Sequence, residues 1–364
     1  MTSPEAPCSS DAARASVQML EHRVALLPDH LRRVLAARAS IPRLPERGAL
    51  AITGVGASEG PARYLSELLH HFHGRHAPFV PLSCFATADR EPDGEMLVVF
   101  SQGLSANARM ALATRGQHRS ALLVTALDPA RASGKAGALL ASIRRDGATV
   151  VTHPPEDESG TLLRVVGPAV ASFVAALLAS TLESREARYR GFDGSGYDGI
   201  ERVPDLVASA AERVAGAVGD LDPEWLLGRV AFVTAGALGD GYHAPRWKWL
   251  EGLLSPEPSC WDVLQVAHGA FQQFYGERML LVALEHATVE RERLLFDRLQ
   301  GMLVPERHAM IRLKSDLPRH LALLDHDAQV SQLLLRALRY RPRDLATWPG
   351  MGLDGPLYGL DGPP

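Results

Sequence analysis

Apolar residues in this chain follow two rhythms. Short dense runs such as Leu50-Ala51-Ile52, Met96-Leu97-Val98-Val99-Phe100, Leu122-Leu123-Val124 and Val230-Ala231-Phe232-Val233 alternate with longer stretches where apolar residues recur every three to four positions. The first rhythm marks strands buried on both faces and the second marks amphipathic helices. The pattern predicts strands at 49–53, 78–82, 96–100, 121–125 and 148–152, then at 229–234, 279–283 and 308–313. Helices are predicted over 11–39 (Val17, Leu20, Val24, Leu27, Leu31, Leu35), over 162–182 and near 204–217, with a polar tail at 1–10. Strands alternating with helices are the signature of an α/β protein with parallel sheets.

The fold class that follows is α/β, with two tandem doubly wound parallel-sheet domains and flanking helices. The expected organisation is an N-terminal tail and helix at 1–46 and a first domain at 47–188. A linker and helix follow at 189–225, then a second domain at 226–347 and a C-terminal tail at 348–364. The Gly/Asp-rich run 190–199 supplies the turn chemistry of the linker. A length of 364 residues suits two cores of about 150 residues each.

Composition narrows the class further. The chain is 46% hydrophobic and 22% charged, the proportions of a globular domain. A formal net charge of −4 gives no basic field for nucleic acid. No apolar run reaches the roughly 20 residues of a membrane span, and Met1-Thr2-Ser3-Pro4-Glu5 is not a signal segment. Cys8, Cys84 and Cys260 are few, odd in number and far apart, which fits a reducing cytoplasm and offers no metal framework. The acidic run His153 to Glu158 is broken by prolines and reads as a solvated loop. No metal or other cofactor is expected. The partner expected is a small polar molecule, with neither nucleic acid nor membrane.

Chemistry concentrates where strands end. After the strand at 96–100 comes Ser101-Gln102-Gly103-Leu104-Ser105, leading into an Ala/Leu-rich helix; after the strand at 49–53 comes Gly54-Val55-Gly56-Ala57-Ser58. In parallel sheets such loops leave the carboxyl ends of strands and converge on one crevice. Hydroxyls and N–H groups at a helix N-terminus there favour an anion such as phosphate. An ordinary turn with a serine N-cap is the plainer reading of the same residues. Gly54 and Gly56 begin a dinucleotide fingerprint, but the third glycine is missing.

Gly56-Ala57-Ser58, Ser83-x-Phe85, Leu97-Val98-Val99-Phe100-Ser101-Gln102 and Leu122-Leu123-Val124-Thr125-Ala126 together resemble successive blocks of a sugar isomerase (SIS) domain. Their order is most similar to the isomerase half of glucosamine-6-phosphate synthase, with two such domains in tandem, over roughly residues 47 to 347. The resemblance implies that Ser58, Ser101, Gln102, Gly103 and Ser105 bind the ligand's anion or hydroxyls. The family loop runs Ser-Gln-Ser-Gly-Glu-Thr; here one serine is missing, Leu104 stands for the Glu and Ser105 for the Thr. Glu158 stands near the acidic residue that precedes a Ser-Thr-Lys segment, itself replaced by Val165-Val166-Gly167-Pro168.

In the second half, Lys248-Trp249-Leu250-Glu251 puts a lysine and a glutamate three apart on one helical face. By spacing alone this is either a solvated ion pair or a carboxylate whose position and pKa are set by Lys248. The resemblance implies the second: Lys-x-x-Glu, with Glu251 as the base that moves a proton between sugar carbons. Gln265-Val266-Ala267-His268-Gly269 is similar to Glu-x-x-His-Gly-Pro, in which the His opens the sugar ring, often from a neighbouring subunit. A homodimer is therefore expected. The family's terminal Pro-Arg-Asn-Leu-Ala-Lys reads Pro342-Arg343-Asp344-Leu345-Ala346-Thr347, and a threonine hydroxyl cannot form an imine.

A glutamine-hydrolysing domain is not expected either, since residue 2 is Thr and the first strand begins near 49. The expectation is a carbohydrate-derivative-binding protein, a sugar-phosphate aldose–ketose isomerase without amidotransferase activity. The alternatives are a lyase, hydrolase or deaminase of another polar metabolite, or a non-catalytic sugar-binding module. Leu353, Leu357, Tyr358 and Leu360 in the C-terminal tail either pack across a neighbouring surface or belong to a free end.

Overall fold

The computed structural model describes residues 11–87, 92, 94–130, 132–154, 158, 160–182, 197–236 and 238–358. The polar tail at 1–10, Leu360 and most of the 190–199 linker lie outside the described residues. The chain forms two compact units, each built on a four-stranded sheet. One unit comprises residues 29–157, 166–201 and 350–364; the other comprises 1–28, 158–165 and 202–349.

The first sheet has strands β1 (Leu50–Gly54), β2 (Met96–Phe100), β3 (Ser120–Thr125) and β4 (Thr149–Thr152), in that spatial order and all parallel. β1 and β2 are buried throughout, as expected of apolar runs sandwiched between helix layers. The strand predicted at 78–82 forms only an isolated bridge, Phe79 opposite Ile52. Pro78 and Pro81 lack the N–H a ladder requires, so pairing stops after Val80 donates to the Ile52 carbonyl at 2.7 Å. The helix Val166–Ser180 is buried from Val166 to Ala179.

The second sheet has β5 (Arg229–Thr234), β6 (Ser259–Asp262), β7 (Met279–His286) and β8 (His308–Ser315), ordered β6-β5-β7-β8 and again parallel. The edge strand β6 escapes the hydrophobic pattern because Ser259-Cys260-Trp261-Asp262 is only half apolar. The single helix predicted near 204–217 is two, Val203–Ala208 and Ala210–Val218.

Both sheets share a topological feature. After the first strand the chain runs to the outer edge and then returns to the strand's other side: 78–80 then β2 in one, β6 then β7 in the other. Adjacent strands whose connections depart in opposite directions leave a crevice at their carboxyl ends, where ligands bind in open α/β sheets. In the first unit that crevice lies between the ends of β1 and β2, where the two Gly/Ser loops emerge.

Candidate functional site

The first unit builds its crevice by close backbone approach. A side chain on Gly54 would put its Cβ 2.2 Å from the Ser58 carbonyl oxygen, so only glycine permits the turn that brings the buried Ser58 to the start of the helix Glu59–Glu67. Ser101 is also buried, and its N–H continues the ladder to the Val124 carbonyl at 3.0 Å. The Gln102 carbonyl accepts from the Ala126 N–H and the Thr125 hydroxyl, both at 3.1 Å. The loop is thus tied to the end of β3.

Leu104 carries the loop's strain. Its φ of 54° is left-handed, a region non-glycine residues rarely adopt, and its side chain is buried in the cluster of Leu97, Val99, Leu112 and Leu123. Burial of the isobutyl group offsets the backbone strain and fixes Gly103 and Ser105 on either side. Ser105 is the N-cap of the helix Ala106–Ala113, its Oγ accepting the Ala108 N–H at 3.4 Å, so the ordinary capping role is realised. Gly103 is exposed, and a Cβ there would have open space among the described residues. The Gln102 amide lies against the bare Cα of Gly167, where a Cβ would fall 2.0 Å from Nε2. Gln102 therefore joins the loop to the start of the helix Val166–Ser180. Val165-Val166-Gly167-Pro168, which stands where the resemblance implies a Ser-Thr-Lys segment, gives an apolar helix start onto which a glutamine side chain folds.

The other unit holds Glu251, Lys248, Glu158 and His268. Lys248 does not pair with Glu251, which corrects the expectation drawn from their spacing. Its ammonium is buried and bonds Asp327 Oδ2 at 2.6 Å and Ser331 Oγ at 3.0 Å, both on the helix Arg319–Tyr340. A buried cation is drawn to the carboxylate that shares its desolvated environment, whatever its helical neighbours. Lys248 therefore anchors the helix His243–Leu253, which carries Glu251.

Glu251 is left without that cation. Its Oε2 is buried with no hydrogen-bond partner among the described residues. Burial pushes its carboxyl up to about 7, against the opposing pull of the Arg164 N–H and guanidinium, and with a further push from the charge of Glu158. Glu158, expected to bind substrate, is instead turned inward: it is 1% exposed and accepts the Val165 N–H at 2.7 Å. Segment 158–165 belongs to the same compact unit as Glu251 rather than to the first domain expected at 47–188. His268 follows the turn Gln265–Ala267 and is exposed; among the described residues its ring makes no hydrogen bond or ring contact.

Sequence reasoning missed Asp327, Ser331 and Arg164. Asp325-His326-Asp327 follows the apolar run Leu321-Ala322-Leu323-Leu324 on this helix, and three consecutive polar residues cannot all face away from a buried side. Asp325 takes both terminal nitrogens of Arg213, and His326 Nδ1 meets the Tyr242 hydroxyl at 2.9 Å. Among the described residues no group of three or more His, Cys, Asp or Glu side chains could hold a metal ion. No helix among them is long and apolar enough to cross a membrane.

No family model and no curated protein matches the sequence. Solved structures do match. Glucosamine-6-phosphate deaminase from Thermotoga maritima aligns with a TM-score of 0.64 at 14% identity, covering 92% of this chain and 97% of the other. The C-terminal domain of glucosamine-fructose-6-phosphate aminotransferase from Francisella tularensis gives 0.65 at 13%, covering 88% and 96%. The chain has the tandem SIS fold. Tagatose-6-phosphate ketose/aldose isomerase from Escherichia coli, at 0.58 and 14% identity, shares it over 95% of this chain and 98% of its own.

Proposed function

We propose that this SIS-fold protein is an isomerase-like enzyme that interconverts the aldose and ketose forms of a phosphorylated hexose or hexosamine. The observation that carries the reading is Glu251, a buried carboxyl raised to about 7. A group titrating near neutrality both takes a proton from one carbon and returns it to the next, which is what a 1,2-shift of a carbonyl requires. Ser58, Ser101, Gln102, Gly103 and Ser105 are assigned to the phosphate and hydroxyls. This assignment is supported by the strand-end loops and by neighbours whose names all carry a 6-phosphate sugar. His268 is assigned to ring opening; its exposure leaves it available to a second copy, and light scattering should then show a dimer. Lys248 supports Glu251 through the helix it anchors.

Replacing Glu251 by Gln should abolish aldose–ketose turnover across a phosphosugar panel. The rise in melting temperature produced by the same sugars should persist, because binding stabilises the native state by mass action. Unchanged turnover would overturn the assignment.

A second reading, removal of an amino group from a phosphorylated amino sugar, is favoured by Thr347. It stands where the family's imine-forming lysine is expected, and its hydroxyl bonds Asp344 at 2.7 Å. Proton transfer at Glu251 serves deamination as well, and release of ammonia in the same panel separates the two.

A further inference from the structure

The crossover pattern that opens a crevice between β1 and β2 opens another between β5 and β7. A circuit of contacts joins the elements that border it, starting and ending on the loop that leaves β5. At one end Gly236, with a left-handed φ of 93°, lies beside Arg319: a Cβ there would fall 3.8 Å from Nη1. Arg319 opens the helix Arg319–Tyr340, and its Nη2 reaches Glu292 Oε2 at 3.4 Å. Glu292 sits in the first turn of the helix Glu290–Met302. Its Oε1 accepts both the backbone N–H and the Nδ1 of His286, the last residue of β7, at 2.7 and 2.9 Å. The His286 ring meets the His326 ring edge-on, centroids 5.8 Å apart. His326 Nδ1 then bonds the hydroxyl of Tyr242, at the far end of the same loop.

The donors and acceptors of this circuit can be assigned. The Glu285 carbonyl, 3.2 Å from His326 Nε2, only accepts, so that nitrogen carries the proton and Nδ1 accepts from Tyr242. Burial pushes His326 down to about 3, which keeps its ring neutral. The Glu292 carboxylate likewise only accepts, so His286 Nδ1 carries a proton and Nε2 of the neutral ring is a bare acceptor. That nitrogen is buried and has no hydrogen-bond partner among the described residues, and His286 is 4% exposed. A carboxylate that fixes the tautomer of a buried imidazole leaves the far nitrogen ready for a donor. Nearby carboxylates do not compete for Arg319: Glu285 is held by Arg312 and Asp325 by Arg213.

We propose that the β5–β7 crevice is a second binding site, for a small oxyanion that carries an O–H group: its charge pairs with Arg319 and its hydroxyl donates to His286 Nε2. The site shares no residue with the groups assigned to isomerisation. Arg319 is the one half-exposed side chain of the circuit, at 44%, so an entering anion meets it first. Drawing the guanidinium off Glu292 breaks the circuit's longest hydrogen bond and admits the ligand to the buried nitrogen.

The test needs no turnover and reads the site locally. In the full chain carrying nitrogen-labelled histidine, the His286 Nε2 resonance is the one lost in His286→Gln; correlation to the His286 backbone identifies it if that variant does not fold. Inorganic phosphate and glycolate carry an O–H, whereas sulfate and acetate match them in charge without one. Phosphate or glycolate, at matched ionic strength and pH 8, should shift the Nε2 resonance in the direction of a nitrogen that accepts a hydrogen bond; sulfate and acetate should not. Arg319→Gln, a change at a half-exposed position, should weaken the response about tenfold through the lost charge-assisted contact. No shift with phosphate or glycolate overturns the proposal, and so does an equal shift with sulfate and acetate. A response unchanged in Arg319→Gln, or a wild-type His286 protonated on both nitrogens at pH 8, overturns it as well.

Discussion

The two sheets share strand direction and crossover pattern, yet their longest buried helices are opposite in character. Val166–Ser180 in the first unit is buried almost throughout by Val, Ala, Leu and Phe, and it is held by apolar packing. Arg319–Tyr340 in the second buries Asp325, His326, Asp327, Gln329 and Ser331 beside its leucines. Each of those has a specific partner: Arg213 for Asp325, Tyr242 for His326, Lys248 for Asp327 and Ser331, and the Lys314 carbonyl for Gln329. Apolar packing holds a helix but tolerates small slips, whereas a paired buried charge admits one register. The second helix is the one against which the Glu251 helix is fixed. The unit that carries Glu251 is the one whose core is specified by polar contacts.

Breaking the Lys248–Asp327 pair should have the largest effect. Asp327→Ala leaves a buried ammonium with only Ser331, and urea unfolding should show a loss of about 3–5 kcal/mol. Replacing both partners by apolar residues, Lys248→Met with Asp327→Leu, should restore most of it. A double variant as unstable as the single one would mean that the pair's geometry, rather than its unpaired charge, holds the helices. In the first unit Phe173→Ala should cost a similar amount through a cavity alone, with no second substitution of charge able to rescue it.

The sheets could be read in the sequence because each central strand is a dense apolar run and each helix a periodic one. The failures have local causes. Prolines at 78 and 81 turned a predicted strand into a bridge, and the half-polar edge strand at 259–262 carried too little signal. The strand-end loops were also legible, since Gly and Ser after an apolar run mark a turn that needs close approach or a cap. Gly54 and Ser105 do those two things. The electrostatics of Glu251 were not legible. Spacing paired it with Lys248, but Lys248 found Asp327, 79 positions away. Glu251 instead faces a segment some 90 positions earlier, 158–165. Spacing along one helix says which side chains could meet; only the tertiary fold says which desolvated partner wins.

The next effect in size is a gain. Glu251 in the folded chain is raised to about 7 from an ordinary 4.5, so the native state retains a proton that the unfolded chain has already released. Stability attributable to this group therefore falls as pH rises from about 4.5 to 7 and is level above that. Glu251→Gln removes the liability: it should be about 3 kcal/mol more stable than wild type at pH 8 and equal to it below pH 4.5. Melting curves at the two pH values read the difference directly. A variant less stable than wild type at pH 8 would mean that Glu251 is ionised and well paired in the native state. The first unit's buried helix, having no such group, offers no counterpart to this pH dependence.

The smallest effect on stability falls in the first unit and is the sharpest probe of its crevice. Gly167→Ala places a methyl group where the Gln102 amide lies, but the obstructing atoms are the far end of a flexible side chain rather than backbone. Alanine also suits a helix better than glycine by about 1 kcal/mol, so the melting temperature should hardly move. Gln102, however, must leave its seat at the helix start. If that seat aims the amide at the ligand, the phosphosugar-induced rise in melting temperature should shrink while the unliganded protein melts as before. A full ligand-induced rise in Gly167→Ala would remove Gln102 from the binding groups. It would leave the anion to Ser58, Ser101 and the capped start of Ala106–Ala113, so that the crevice works through its backbone and hydroxyls alone.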